Sequence, residues 1–219
     1  MIAESKERLG KLAAEMVKDG MIIGLGSGST AAEFIKGLGE RIKEEGISVY
    51  GVPTSYQAQL LAECYSIPII SSDRIDLAVD GADQIDARNF ISKGGGGALL
   101  KEKFVDYRAE RLIILADRTK FVNIISQVFV EVHPLAIHPV SKILETYGTT
   151  TLRTVKGKGI ENGDQVSITE SGNVIFDVSM EVENPPETEK ILNSIPGVIE
   201  NGLFTRKSVI LGRGSGIPG

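Results

Sequence analysis

Along the first half of the chain, polar and apolar positions switch between two periods. Residues 6–17 place Leu9, Leu12, Ala13 and Met16 on one helical face, and a short apolar run at 21–25 follows Asp19-Gly20. The segment GSGST opens a second helical pattern through Ala31, Phe34, Ile35 and Leu38, with Ser or Thr available as its N-cap. Strands are predicted at 47–52, 67–70, 75–79 and 112–116, and helices at 55–64 and 97–107. These strands are apolar throughout rather than alternating, and helices separate them. The pattern predicts a doubly wound parallel sheet, Rossmann-like, with both faces covered.

The second half predicts a different architecture. A strand at 126–132, a helix at 139–147 and a strand at 149–155 precede a hairpin of 165–169 and 173–179 turning at Glu170-Ser171-Gly172. A helix from Pro186 to Leu192 and a strand opening at 197–199 complete a strand-helix-strand, strand-helix-strand order, the ferredoxin-like split βαβ. The expected division is an α/β domain of residues 1–125 plus 204–219 and an inserted α+β domain of residues 126–203, with 208–211 returning to the first sheet. The terminal GRGSGIPG is expected to be a flexible tail.

Composition narrows the function. With 219 residues, 42% of them hydrophobic, the chain can bury a substantial core, yet it has no apolar run near the roughly 20 residues of a membrane helix. Its N-terminal residues mix charges into an amphipathic pattern and lack a secretory apolar segment. A net charge of -5 argues against a nucleic-acid surface, which needs clustered Lys and Arg. The single cysteine, Cys64 in LLAECY, cannot form an internal disulfide and is expected to be a buried structural thiol. A cytoplasmic location is expected.

Chemistry concentrates in DGADQIDARNFISKGGGGALLKE, from Asp80 to Glu102. Asp80 and Asp83 flank Gly81-Ala82, Lys93 leads into Gly94, Gly95, Gly96 and Gly97, and Glu102 falls in the helical pattern beyond. Four consecutive glycines lose much conformational entropy on ordering, so the backbone there must approach something closely. A lysine beside such a loop can stabilise a developing oxyanion. Glu102, with Ala98, Leu99 and Val105 as helical neighbours, can sit at the edge of a buried face, where desolvation suits a proton carrier. Asp80, Asp83 and Asp86 recur every three residues, but the spacing does not match a calcium loop and no histidine is near, so no metal is expected.

Upstream, GLGSGST follows a strand and precedes a helix. It lacks the third glycine of a dinucleotide fingerprint, an acidic residue ending the next strand, and the Gly-Lys-Ser/Thr of a P-loop. The hydroxyls of Ser27, Ser29 and Thr30 around Gly28 favour a phosphate held at a helix N-terminus. Lys120, after the strand at 112–116, is a second candidate for that anion. His133 and His138, in VHPLAIHP, have the look of structural loop residues.

Taken together, GLGSGSTA, VPTSYQA, DLAVDGADQID, ISKGGGGALLKEK, ADRTK, EVHP, SGNVIFDV and PGVIENGLF resemble the A-type ribose-5-phosphate isomerase family, in order over most of the chain. The terminal TRKSVILGRGSGIPG departs from the pattern. The resemblance implies interconversion of ribose 5-phosphate and ribulose 5-phosphate through an enediolate, without cofactor. It assigns Glu102 as the base moving a proton between C1 and C2, Lys93 to the enediolate oxygen, Asp83 to opening of the furanose ring, and Asp80 to orienting sugar hydroxyls or the lysine. Ser27, Gly28, Ser29, Thr30 and Lys120, with Lys6, would hold the phosphate, and Gly81, Ala82, Gly94, Gly95 and Gly96 would line the sugar. It also implies a homodimer or homotetramer, with the second domain acting as lid or interface. A non-catalytic sugar-phosphate-sensing domain, a CoA transferase and a sugar-phosphate deaminase-like enzyme share such an architecture and remain as alternatives.

Overall fold

The alternation of amphipathic and wholly apolar segments becomes, in the computed structural model, which describes residues 2–212, a regular succession of helices and strands. In chain order these are α1 (Ile2–Glu15), β1 (Ile22–Leu25), α2 (Gly28–Glu45), β2 (Tyr50–Pro53), α3 (Tyr56–Cys64), β3 (Ile75–Gly81), β4 (Gln84–Ile85), β5 (Ile91–Ser92), α4 (Leu99–Asp106) and β6 (Ala109–Leu115). There follow β7 (Gln127–Val132), α5 (Ile137–Leu144), β8 (Thr149–Leu152), β9 (Val174–Ser179), α6 (Pro185–Asn193), β10 (Val198–Asn201), β11 (Leu203–Phe204) and β12 (Val209–Leu211). Two compact units result. The first comprises the chain up to Ala82, Lys101–Phe121 and the chain from Arg206; the second comprises Asp83–Leu100 and Val122–Thr205.

The first unit is built on a parallel five-stranded sheet in the order β12-β6-β3-β1-β2. Its strands are apolar on both faces because both are covered: Ile23, Leu25, Leu77, Val79, Ile113 and Leu115 are buried in one core with Leu9, Ala13, Phe34 and Leu38 of α1 and α2. The two helices touch through Gly10, where any Cβ would come within 2.5 Å of the Glu33 backbone. Gly46, at φ +71°, closes α2 in the left-handed conformation a helix C-cap favours. The strand expected at 67–70 reduces to a single bridge of Ile69 on Gly51, since Pro68 has no N–H to give a ladder. Cys64 is exposed, against expectation. Helix α3 buries Ala58 and Ala62, and Cys64 falls on the face turned away from them.

The second unit carries a four-stranded antiparallel sheet in the order β10-β7-β9-β8, the split βαβ arrangement. Val128, Val130, Val132, Val174, Phe176 and Val178 pack from one face into a core with Val140, Leu144 and Leu192 of its two helices. The expected strand at 165–169 is broken. Its backbone pairs first with residues 153–155 and then with Asn173, leaving only the bridges Thr154–Val166 and Ile168–Val174. A third, small sheet, β11-β5-β4, is antiparallel. It ties residues 83–100 to the second unit: the Ser92 hydroxyl donates to the Gln127 carbonyl, and the N–H groups of Lys93 and Gly202 donate to the carbonyls of Gly202 and Phe129. The unit boundaries therefore differ from the division at 125/126 and 203/204 expected from the sequence, which had assigned residues 83–100 to the first domain. Strands of two residues carry no periodicity, so nothing marked that stretch as part of a sheet. Residues 213–219, most of the expected flexible tail, lie outside the described residues.

Candidate functional site

In a parallel sheet the loops leaving the carboxyl ends of neighbouring strands share one edge, where ligands of open α/β sheets bind. Polar groups gather at four such strand ends of the first unit, three of them bearing predicted residues. Near the end of β3, Asp80 is fully buried and its Oδ1 accepts from the N–H groups of Ser27 (3.1 Å) and Gly81 (2.6 Å). Gly26, after β1, lies so close that a Cβ would stand 2.4 Å from this carboxyl group and 2.5 Å from the Asp80 Cα; the tight approach requires glycine there. Ser27 occupies the N-cap position of α2 but does not cap it. Its hydroxyl donates to Ser55 Oγ (2.6 Å) and shares a hydrogen bond with Thr54 Oγ1 (2.7 Å), both after β2 and both buried. Gly28, at φ +85°, gives its N–H to Gln57 Oε1 (3.0 Å), and Lys6 donates to Ser29 Oγ (2.9 Å). Thr30 is partly exposed in the first turn of α2.

After β6, Asp117 caps a single 3-10 turn, Arg118–Lys120, by accepting from the Thr119 N–H (2.9 Å). Its carboxyl is held below the usual carboxylate range, first by the Thr119 hydroxyl; burial opposes this, and Thr119's N–H and the charges of Lys120 and Lys6 reinforce it. Lys6 and Lys120 thus act on one carboxylate, and with Ser29 they bring positive charge and hydroxyl to the same edge. Glu102, 6% exposed, sits in the first turn of α4.

The remaining predicted residues belong to the second unit, into which the chain passes at Ala82–Asp83. Asp83 donates its N–H to the Ser92 carbonyl (2.9 Å), and its Oδ2 accepts from the Gly95 N–H (2.7 Å). A Cβ on Gly95 would meet the Asp83 carboxylate at 2.8 Å. Gly94, at φ +126°, leaves no room between Leu99 and Phe129, and Gly97, at φ +81°, closes a turn back to Gly94. Gly96 meets nothing within 4 Å. Lys93 is 3% exposed, with Nζ 5.6 Å from the centre of the Phe204 ring.

Some predicted and considered residues do other work. Asp86 is fully buried and holds its own loop, accepting from the N–H groups of Arg88 and Phe90 and pairing with the Arg88 guanidinium (2.8 Å), so the three aspartates do not form one ligand set. Among the described residues no cluster of three or more His, Cys, Asp or Glu side chains is arranged to hold a metal. His133 caps the turn Pro134–Ala136, its Nδ1 accepting from the Leu135 N–H (3.3 Å). Sequence reasoning assigned no role to Thr54, Ser55, Gln57, Arg153 or Glu131. The segment VPTSYQA does carry the first three, and a Ser-Thr pair following an apolar strand was the signal available.

The model of the family described as ribose 5-phosphate isomerase A (phosphoriboisomerase A) matches residues 50–216. The chain belongs to this family. It is 43% identical over 215 residues to the ribose-5-phosphate isomerase A of Methanocaldococcus jannaschii, covering 94% of this chain and 92% of that protein. The solved structure of that isomerase superposes with a TM-score of 0.90 over 95% of this chain and 94% of the other, at 42% identity. A second solved structure, a D-ribose-5-phosphate isomerase in complex with phospho-erythronic acid, gives a TM-score of 0.89 at 43% identity, covering 96% of this chain and 95% of that one. The family match takes in parts of both units.

Proposed function

We propose that the chain interconverts ribose 5-phosphate and ribulose 5-phosphate by moving one proton between neighbouring carbons, within the non-oxidative pentose phosphate pathway. Glu102 takes the proton from C2 of the open-chain aldose and returns it at C1, while the hydroxyl proton passes from O2 to O1. In between, the aldehyde oxygen carries the negative charge of an enediolate, and the Lys93 ammonium stabilises it. Asp83 assists opening of the furanose ring, and Asp80 orients the sugar hydroxyls. Ser27, Gly28, Ser29, Thr30 and Lys120, with Lys6, hold the phosphate, while the backbone at Gly81, Ala82, Gly94, Gly95 and Gly96 lines the bound sugar. A fixed anionic handle lets binding energy from the unreacting end be used to orient the reacting carbons. The reaction needs neither redox cofactor nor metal in this reading, and the protein works in the cytoplasm as a homodimer or homotetramer.

The observation that carries the reading is the carboxyl edge of the parallel sheet in a chain of this family: Ser27 and Asp80 joined through backbone N–H, with Lys6 and Lys120 both acting on Asp117. A coupled assay for ribulose 5-phosphate, run with and without EDTA, tests it. Turnover is expected in both, and Glu102→Gln is expected to lower kcat by about 100-fold or more, as for loss of a general base. Near-parental turnover of that variant would remove Glu102 from the mechanism, and loss on chelation restored by Mg²⁺ would recast the aspartates as ligands.

A further inference from the structure

The residues before Leu99, at the start of α4, are Gly97 and Ala98, neither of which has a side-chain acceptor for the first-turn N–H groups. The acceptor comes from the sheet of the second unit instead. The Leu100 N–H donates to the carboxylate of Glu131, which is 1% exposed and whose Oε1 also accepts from Thr169 Oγ1 (2.8 Å) and Asn173 Nδ2 (2.9 Å). Burial pushes the Glu131 carboxyl up, the neighbouring Glu200 charge adds to this, and the Asn173, Thr169 and Leu100 donors work against it.

The other end of the same segment is held from the same face. Glu131 pairs across the ladder with Ile175, and Phe129 with Asp177, so these four side chains stand on one side of β7 and β9. Leu99, Phe129 and Ile175 pack together there. Arg153 lies over the Phe129 ring at 5.1 Å, forms an ion pair with Asp177, and donates from Nη1 to the carbonyls of Gly94 (2.8 Å) and Gly95 (3.2 Å). The opposite face of the sheet is the apolar core. On a face that Phe129 and Ile175 already make apolar, a buried carboxylate adds little stability, because apolar residues of similar volume do as well or better there. Its placement on the first turn of the helix that bears Glu102 calls for another reason.

We propose that Arg153 and Glu131 are positioning residues that clamp the backbone between Lys93 and Glu102, Arg153 by the carbonyls at its start and Glu131 by an N–H at its end. The inference rests on the isomerase reading above for its catalytic meaning. For the clamp itself it rests only on the second unit's geometry. Loosening either end leaves Lys93 and Glu102 in place chemically but lets the backbone that carries them wander. Small misplacements of this kind reduce kcat by about 10- to 100-fold, while the groups that hold the phosphate are unaffected.

The test uses full-length Glu131→Gln, Arg153→Ala and Arg153→Lys. Isomerase kinetics are measured together with hydrogen–deuterium exchange of the backbone amides. Expected are a fall in kcat that exceeds any rise in KM for ribose 5-phosphate, and faster exchange confined to residues 94–102. Arg153→Lys, which keeps the charge and can still reach a carbonyl, should recover part of what Arg153→Ala loses, and it substitutes for that variant should it fail to fold. Parental kcat in both Glu131→Gln and Arg153→Ala would overturn the proposal. So would exchange that rises equally across β7, β9, α5 and α6, which would mark a general loss of stability. A parent protein without isomerase activity would sink the functional reading, and the clamp would then stand or fall on the exchange of residues 94–102 in the variants.

Discussion

Two adjacent glycines separate the needs of the fold from the needs of the reaction. In Gly95→Ala the new methyl group would stand 2.8 Å from Oδ1 and 3.0 Å from Cγ of Asp83. Ordinary van der Waals separation requires the carboxylate to retreat by about 0.6 Å or more. That retreat breaks the 2.7 Å hydrogen bond from the Gly95 N–H to Oδ2. A hydrogen bond to a charged group is worth about 1.5–3 kcal/mol, and if that energy holds Asp83 where ring opening needs it, kcat/KM falls by about 10- to 150-fold. The fold should suffer less, because the displaced atoms end a short side chain rather than a backbone. Gly96→Ala is the matched comparison for stability rather than activity: its methyl meets no other part of the chain within 4 Å and its φ lies outside the left-handed region. By restricting the unfolded chain it should gain about 0.4–1 kcal/mol in stability. Coupled turnover assays and urea unfolding of both variants decide the matter. Parental kcat/KM in Gly95→Ala would refute the reasoning. A Gly95→Ala protein that loses stability as heavily as activity would show that the glycine serves packing instead.

Two further outcomes follow from the charges. Lys120→Ala should lower kcat/KM on ribose 5-phosphate by about 10- to 150-fold, one charge-assisted contact, while the slow turnover of unphosphorylated ribose stays as it was; equal damage to both substrates would take Lys120 off the phosphate. Asp76, whose carboxylate accepts from the Ile22 N–H (2.8 Å) and pairs with Arg74, is held below the usual carboxylate value by the Ile22 bond first and, against burial, by Arg74. A carboxyl depressed on folding contributes stability that is complete above its unfolded value, about 3.9, and is lost as pH falls through the folded value. Asp76→Asn should therefore lower the unfolding free energy most at neutral pH, with the gap to the parent closing below about pH 4; a gap that stays constant from neutral to acid pH would contradict this.

How much was legible depended on the range of the interactions. Strands β1, β3 and β6 announced themselves because runs such as Ile75 to Val79 can be apolar throughout only when both faces are covered. In the second unit the strand-helix-strand, strand-helix-strand succession was legible from the pattern, though the break at 165–169 was not. The cluster Asp80, Lys93, Glu102 stood out because packing does not ask for it. What stayed hidden was set by partners distant in sequence. Gly94 is a glycine because of Phe129, and its carbonyl is held by Arg153, neither of which a local pattern can supply. Glu131 sits in an otherwise apolar run, VFVEV, with nothing nearby to say that it reaches Leu100. Pro68 interrupts an apolar run that looks like a strand, and Cys64 shows that a thiol within an apolar helical pattern can still fall on the outer face.

The path of the chain has an evolutionary consequence. It crosses from one unit to the other four times, after Ala82, Leu100, Phe121 and Thr205. The first unit takes its edge strand β12 from beyond the last crossing, and the small sheet of the second joins β4 and β5 to β11 across more than a hundred residues. Neither unit is a contiguous stretch of gene. A single recombination event that exchanged one half with a relative would split both sheets at once, so neither unit can be inherited separately as a cassette. Substitutions at Asp83 and Gly95 in the second unit are then inherited together with Asp80 and Ser27 of the first.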